Sequence, residues 1–177
     1  MDTDIERRFE AVNNAYSSRR RRLLVEGRFQ RQTSHGYWAQ TNPEHVFELF
    51  KKINLGQSRS FLDLGSGDGI VTSVASLFTK ATGIEIDPKL HQDAEDLKAK
   101  LGLTSTNKNM DYLAEDLADY DVIFIAPDNY FHKLEKNIVE QFKGTLIILD
   151  NIFRPLTLTA DETISVRGTN FNIYRIS

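Results

Sequence analysis

The stretch Phe61-Leu62-Asp63-Leu64-Gly65-Ser66-Gly67-Asp68-Gly69-Ile70-Val71 constrains this chain more than any other. An apolar run, three glycines at alternate positions and a second apolar run read as strand, tight turn and helix start. Glycines let the backbone turn sharply and leave no Cβ between the main chain and a ligand. The unit places free amide N–H groups at the strand's carboxyl end, where doubly wound α/β folds bind cofactors. A dinucleotide fingerprint needs Gly-x-Gly-x-x-Gly, but here the third glycine comes one residue early, at Gly69, and Ile70 stands in its place. A phosphate-binding Walker loop needs Gly-Lys-Ser/Thr, and that triplet does not occur.

Two later stretches narrow the choice. Thr82-Gly83-Ile84-Glu85-Ile86-Asp87 reads as a second strand ending in acid, and a carboxylate there can accept hydrogen bonds from ribose hydroxyls. Asn109-Met110-Asp111-Tyr112 follows a weak third strand. Together with Asp63, Gly65, Gly67 and Gly69, these stretches resemble the seven-stranded, Rossmann-like (class I) methyltransferases that use S-adenosylmethionine (SAM). The resemblance implies that Glu85 takes the ribose and that Asp111 and the Tyr112 backbone take adenine. It adds Ser66, Ile86 and Ala126 to the cofactor-binding set. The solvated-loop reading of Glu85, Asp87 or Asp111 stands for any one of them alone, but order and spacing favour the SAM site.

The chain in order supports an α/β fold. Ile5, Phe9, Val12 and Tyr16 recur at helical spacing, so residues 4–30 are expected to be helical, with Arg19-Arg20-Arg21-Arg22 spreading charge around most of a turn. Residues 31–42 have loop composition, and Tyr37, Trp38 and Thr41 in it are candidates to face the substrate. Asn42-Pro43-Glu44 signals a helix start. Residues 121–125 and 144–149 read as buried strands, with a helix expected from Tyr130 to Phe142. Glu162–Val166 and Phe171–Ile176 read as a hairpin. About twelve residues separate Asp150 from it, too few for a crossover helix with its loops. The expectation is a doubly wound, mostly parallel seven-stranded sheet with a C-terminal antiparallel hairpin and an added N-terminal helix. Residues 1–35 form the basic helical extension and 36–177 the SAM-binding domain.

Charge is uneven. Residues 1–40 carry eight arginines against five acids, net +3, leaving −6 for the remainder of a chain of net charge −3. Such an arm can grip phosphates on RNA, or be a solvated helix face. No apolar run approaches the ~20 residues of a membrane helix. With no cysteine the chain has no disulfide or thiolate chemistry, and a cytoplasmic location is expected. Four histidines, at 35, 45, 91 and 132, lack ligand spacing. Asp128, Asp150 and Asn151 could in principle gather a hard cation, a minor option.

Tyr37, Thr41-Asn42-Pro43, the glycine turn and Gly83-Ile84-Glu85 also resemble small archaeal protein-lysine methyltransferases and their mitochondrial relatives. That resemblance implies a protein-lysine acceptor. Asp128 is the candidate for positioning the acceptor or taking its proton, with Asn129 as a polar contact beside it; a capping role fits both equally well. The other readings are an RNA methyltransferase using the arginine helix, a small-molecule methyltransferase, and a SAM-binding regulator without turnover.

Overall fold

The computed structural model describes residues 3–28, 30–33, 36–149 and 152–177. Helix α1 (Thr3–Val25) leads into a short antiparallel pair, β1 (Gln30–Thr33) and β2 (Gly36–Ala39), and then α2 (Pro43–Lys52). Strand and helix alternate from there: β3 (Ser60–Leu64), α3 (Ile70–Ala75), β4 (Lys80–Glu85), α4 (Pro88–Leu101) and β5 (Thr106–Asn109). The second half holds β6 (Val122–Ile125), α5 (His132–Gln141), β7 (Gly144–Leu149), β8 (Glu162–Val166) and β9 (Thr169–Ile176).

Seven strands form one sheet in the order β5-β4-β3-β6-β7-β9-β8. β5, β4, β3, β6 and β7 pair in parallel, while β9 runs antiparallel to both β7 and β8. The order reverses between β3 and β6, the switch point at which such sheets open a crevice beyond their carboxyl ends. No helix occupies the described part of the segment between β7 and β8, in keeping with its short length.

The central strands are apolar because both their faces are covered. Phe61, Val122, Phe124 and Ile147 face one way, into a core shared with α2 and α3. Leu62, Leu64, Ile123, Ile125, Leu146 and Ile148 face the other way, against Leu134 and Ile138 of α5. Each such side chain contributes roughly 1.5–3 kcal/mol by leaving water. Helix α1 is part of this packing: Val12 and Tyr16, each 1% exposed, lie in the first core, and Phe9 stacks on Phe47 with ring centroids 3.9 Å apart.

Helix starts follow local chemistry. The Asn42 side chain accepts from the Glu44 N–H (2.9 Å) with Pro43 at the first helical position, and Asp87 accepts from Lys89 and Leu90 N–H groups at the start of α4. Three expectations are corrected. α1 ends at Val25 rather than near residue 30, strands Gln30–Thr33 and Gly36–Ala39 pair where loop was expected over 31–42, and α5 begins at His132 rather than Tyr130. Among the described residues no helix is long and apolar enough to cross a membrane.

Candidate active site

A cavity of about 480 Å³ opens at the carboxyl ends of β3, β4 and β6, with the loop after β2 forming one wall. Its floor is the glycine turn. Ile84 C=O accepts from both Gly65 and Ser66 N–H groups at 2.9 Å, folding the turn back onto β4. Gly67 (φ +56°) and Gly69 (φ +81°) hold left-handed backbone. A Cβ on Gly67 would collide with the Trp38 indole, and one on Gly69 would come within 2.9 Å of the Ala94 Cβ on α4.

Glu85 closes β4. Its carboxylate accepts from the Gly67 N–H (2.8 Å) through one oxygen and from the Asp87 N–H (2.8 Å) through the other. Asp87 is spent on capping α4, which leaves Glu85 as the acid facing the turn. A carboxylate has about four lone-pair sites, so Glu85 keeps accepting capacity for a ligand. Burial raises its pKa, against the opposing pull of the Asp87, Gly67 and Ile86 amides. Asp63, 3% exposed, accepts from Thr72 Oγ1 at 3.0 Å, and its carboxyl is pushed up to about 7, first by burial. Asp68 is fully buried. Arg19 Nε (2.9 Å) and Gln40 Nε2 (3.1 Å) donate to its Oδ2, and Tyr16 Oη donates to its backbone oxygen (3.0 Å). Burial raises its pKa and Arg19 opposes the rise.

Most sequence-named residues meet here. Asp63, Gly65, Ser66, Gly67, Glu85, Ile86, Tyr112, Ala126, Asp128, Asn129, Trp38 and Thr41 line the cavity. Two do not reach it: Gly69 faces α4, and Asp111 is exposed, its Oδ1 accepting from the Leu113 N–H (2.9 Å) at the start of a short helical turn. Tyr112 lines the wall, with its pKa raised by burial and then by Asp128 and Asp111. Asn129 Oδ1 accepts from the Tyr130 N–H (2.8 Å), while Phe131, at the N-cap position of α5, gives no side-chain cap. The Tyr37 side chain, His35, Asp150 and Asn151 lie outside the described residues. Among the described residues, no group of three or more His, Asp or Glu side chains is placed to hold a metal.

Sequence reasoning missed Gln40, Asn109 and the inward turn of Arg19. Asn109 Nδ2 donates to the Glu85 (2.8 Å) and Ile86 (3.1 Å) carbonyls and fixes the segment beyond β4. The Arg19 signal was present. Val12, Tyr16, Arg19 and Leu23 follow one another at three- and four-residue steps, and all four are buried.

Four carboxylates, Asp63, Asp68, Glu85 and Asp128, line the cavity, and no lysine, arginine or histidine among the described residues does. Such a lining suits a cation and repels a pyrophosphate. Residues 27–163 match the family model of the histone methylation protein DOT1. The chain belongs to the DOT1 family.

DOT1-family proteins use SAM, and the fold is that of class I SAM-dependent methyltransferases. An uncharacterised methyltransferase of Schizosaccharomyces pombe is 30% identical over 115 residues, 64% of this chain. The matched stretch spans 42% of that relative's length. Among solved structures, an RNA methyltransferase of Salinibacter ruber bound to S-adenosyl-L-homocysteine superposes with a TM-score of 0.66 at 22% identity, covering 78% of this chain and 94% of that one. A mitomycin 7-O-methyltransferase does so with a TM-score of 0.64 at 14% identity, covering 76% and 54%. These two likenesses concern the fold, and the acceptors named for them differ.

Proposed function

We propose that this DOT1-family chain moves the methyl group of SAM onto a lysine of a protein acceptor. The carrying observation is the cavity at the strand ends whose charged lining residues, among those described, are all acidic, which matches a ligand with two cationic centres, sulfonium and ammonium. In this reading Glu85 holds the ribose hydroxyls. Tyr112, with Asp111 behind it, borders the adenine. The turn from Asp63 to Asp68, including Ser66, cradles the methionine part, with Ile86 and Ala126 as neighbouring walls. Bound SAM supplies an activated methyl whose sulfur leaves with its electron pair.

The chain's remaining work is orientation and proton management. Asp128 and Asn129, both exposed at the rim, would receive the lysine ammonium, and Asp128 would pass its proton to water before the nitrogen attacks. Trp38 and Thr41 would close the opposite side. The family description, a histone methylation protein, supports a basic protein acceptor, as does the −6 charge of residues 41–177.

The test is transfer of labelled methyl from SAM to core histones and, in parallel, to total RNA, with Glu85→Ala as control. Methyl-lysine on protein, lost with the variant, is expected. Label confined to RNA would overturn the acceptor, and no SAM binding by calorimetry in folded protein would overturn the activity.

A further inference from the structure

Of the four consecutive arginines, Arg19 turns inward, its side chain 8% exposed. Its Nε donates to Asp68 Oδ2 (2.9 Å) on the glycine turn, and its Nη2 donates to Asp93 Oδ2 (2.8 Å) on α4. The same guanidinium carbon lies 5.9 Å from the centre of the Trp38 ring on β2. A planar fork can serve two carboxylates and an aromatic ring at once, which an ammonium cannot. One side chain of α1 therefore joins the cofactor turn, the neighbouring helix and the hairpin.

Stability alone is a weak reason for this arrangement. One cation is shared by two carboxylates, and the buried Asp68 Oδ1 has no hydrogen-bond partner among the described residues. Buried ion pairs of this kind are often matched or bettered by apolar side chains of similar volume. What the cluster does fix is geometry. Trp38 packs with Leu23 of α1 and Leu90 of α4, and its indole lies over Gly67, whose N–H is held by Glu85.

We infer that Arg19 is a positioning residue for cofactor binding: it does not line the cavity, yet it holds Asp68 and Trp38 so that α1 and β2 close the cleft over the glycine turn. The inference rests on the SAM reading above. It also takes Arg19 out of the arginine run that could grip a phosphate backbone.

Trp38 is the only tryptophan of the chain, so its fluorescence reads the clamp without a label. The experiment compares wild type, Arg19→Met, Asp68→Asn and the double variant Arg19→Met with Asp68→Asn. Each is measured for thermal midpoint, Trp38 emission and acrylamide quenching, and SAM affinity. Arg19→Met should shift Trp38 emission to the red, increase its quenching without cofactor, and weaken SAM binding by about tenfold or more. The double variant removes the stranded charge. It should regain thermal stability; because Asp68 itself lines the cavity, its SAM affinity is read against Asp68→Asn alone, and a further loss on removing Arg19 is a split that a merely structural role would not produce. Affinity equal to that of Asp68→Asn and unmoved emission in the folded double variant would overturn the inference. A wild-type chain that binds no SAM would overturn the methyltransferase reading instead, and emission of the cofactor-free variants would still decide whether Arg19 holds the clamp.

Discussion

Asp63 lies at the centre of the cavity's charge. Burial chiefly, then Glu85 and Asp68, push its carboxyl up to about 7, while Thr72 pulls the other way. A folded pKa above the ordinary carboxylate value means that the folded chain holds this proton more tightly than the unfolded one. The group therefore supports stability most below about pH 4 and contributes less as pH rises to about 7. A bound cation favours the ionised form. SAM binding should thus expel a proton and tighten as pH rises, levelling above about pH 7. Calorimetry at about pH 6.5 in two buffers of different ionisation enthalpy measures that proton. Asp63→Asn should abolish it, and proton release that persists in the variant would assign it to another group. Gly67→Ala tests the turn itself. Its left-handed backbone costs an alanine roughly 1–2 kcal/mol, and the new methyl displaces Trp38, so SAM binding should be lost while the protein still melts cooperatively. Full SAM affinity in that variant would remove Trp38 from the cavity wall.

At the scale of elements, legibility followed burial pattern. β3, β6 and β7 are apolar on both faces, and α2 and α4 carry capping residues with proline at the first position, so their type and order were readable. The β1–β2 pair was not. Gln30-Arg31-Gln32-Thr33 shows no apolar alternation, and the buried Trp38 rests on Leu23 and Leu90, which no local pattern relates to it. The glycine turn was legible because glycine spacing is a local backbone requirement. Its supports, Arg19, Gln40 and Asn109, act across the chain and gave no short-range signal. A similar long-range tie holds the segment between β7 and β8. The Glu135 carboxylate accepts from Leu156 N–H (2.9 Å), Thr157 N–H (2.7 Å) and Thr157 Oγ1 (2.6 Å). Glu135→Ala should cost about 2–4 kcal/mol of stability and speed amide exchange at Leu156 and Thr157. Unchanged protection there would mean that the segment is held by its apolar contacts alone.

Over the whole molecule, charge separates a basic N-terminal stretch from an acidic body, and a lysine acceptor of the kind proposed would cross the field of that body to reach the cavity. Transfer to a lysine-rich peptide should therefore slow as salt rises from about 0.05 to about 0.5 M, at acceptor concentrations below saturation. Rates indifferent to salt would place acceptor recognition in apolar contacts instead.

The sheet order has a further consequence for how the protein is made. Among the described residues the cavity is lined by none beyond Leu149, so those walls leave the ribosome well before the last strand does. Until β9 emerges, β7 presents Leu146, Ile147 and Ile148 on an unpaired edge. The Arg167 and Thr169 contacts to Glu44 and His45 at the start of α2 are also still unmade. A nascent or prematurely ended chain would then hold a nearly complete site beside an adhesive edge, and its characteristic fate would be self-association during synthesis.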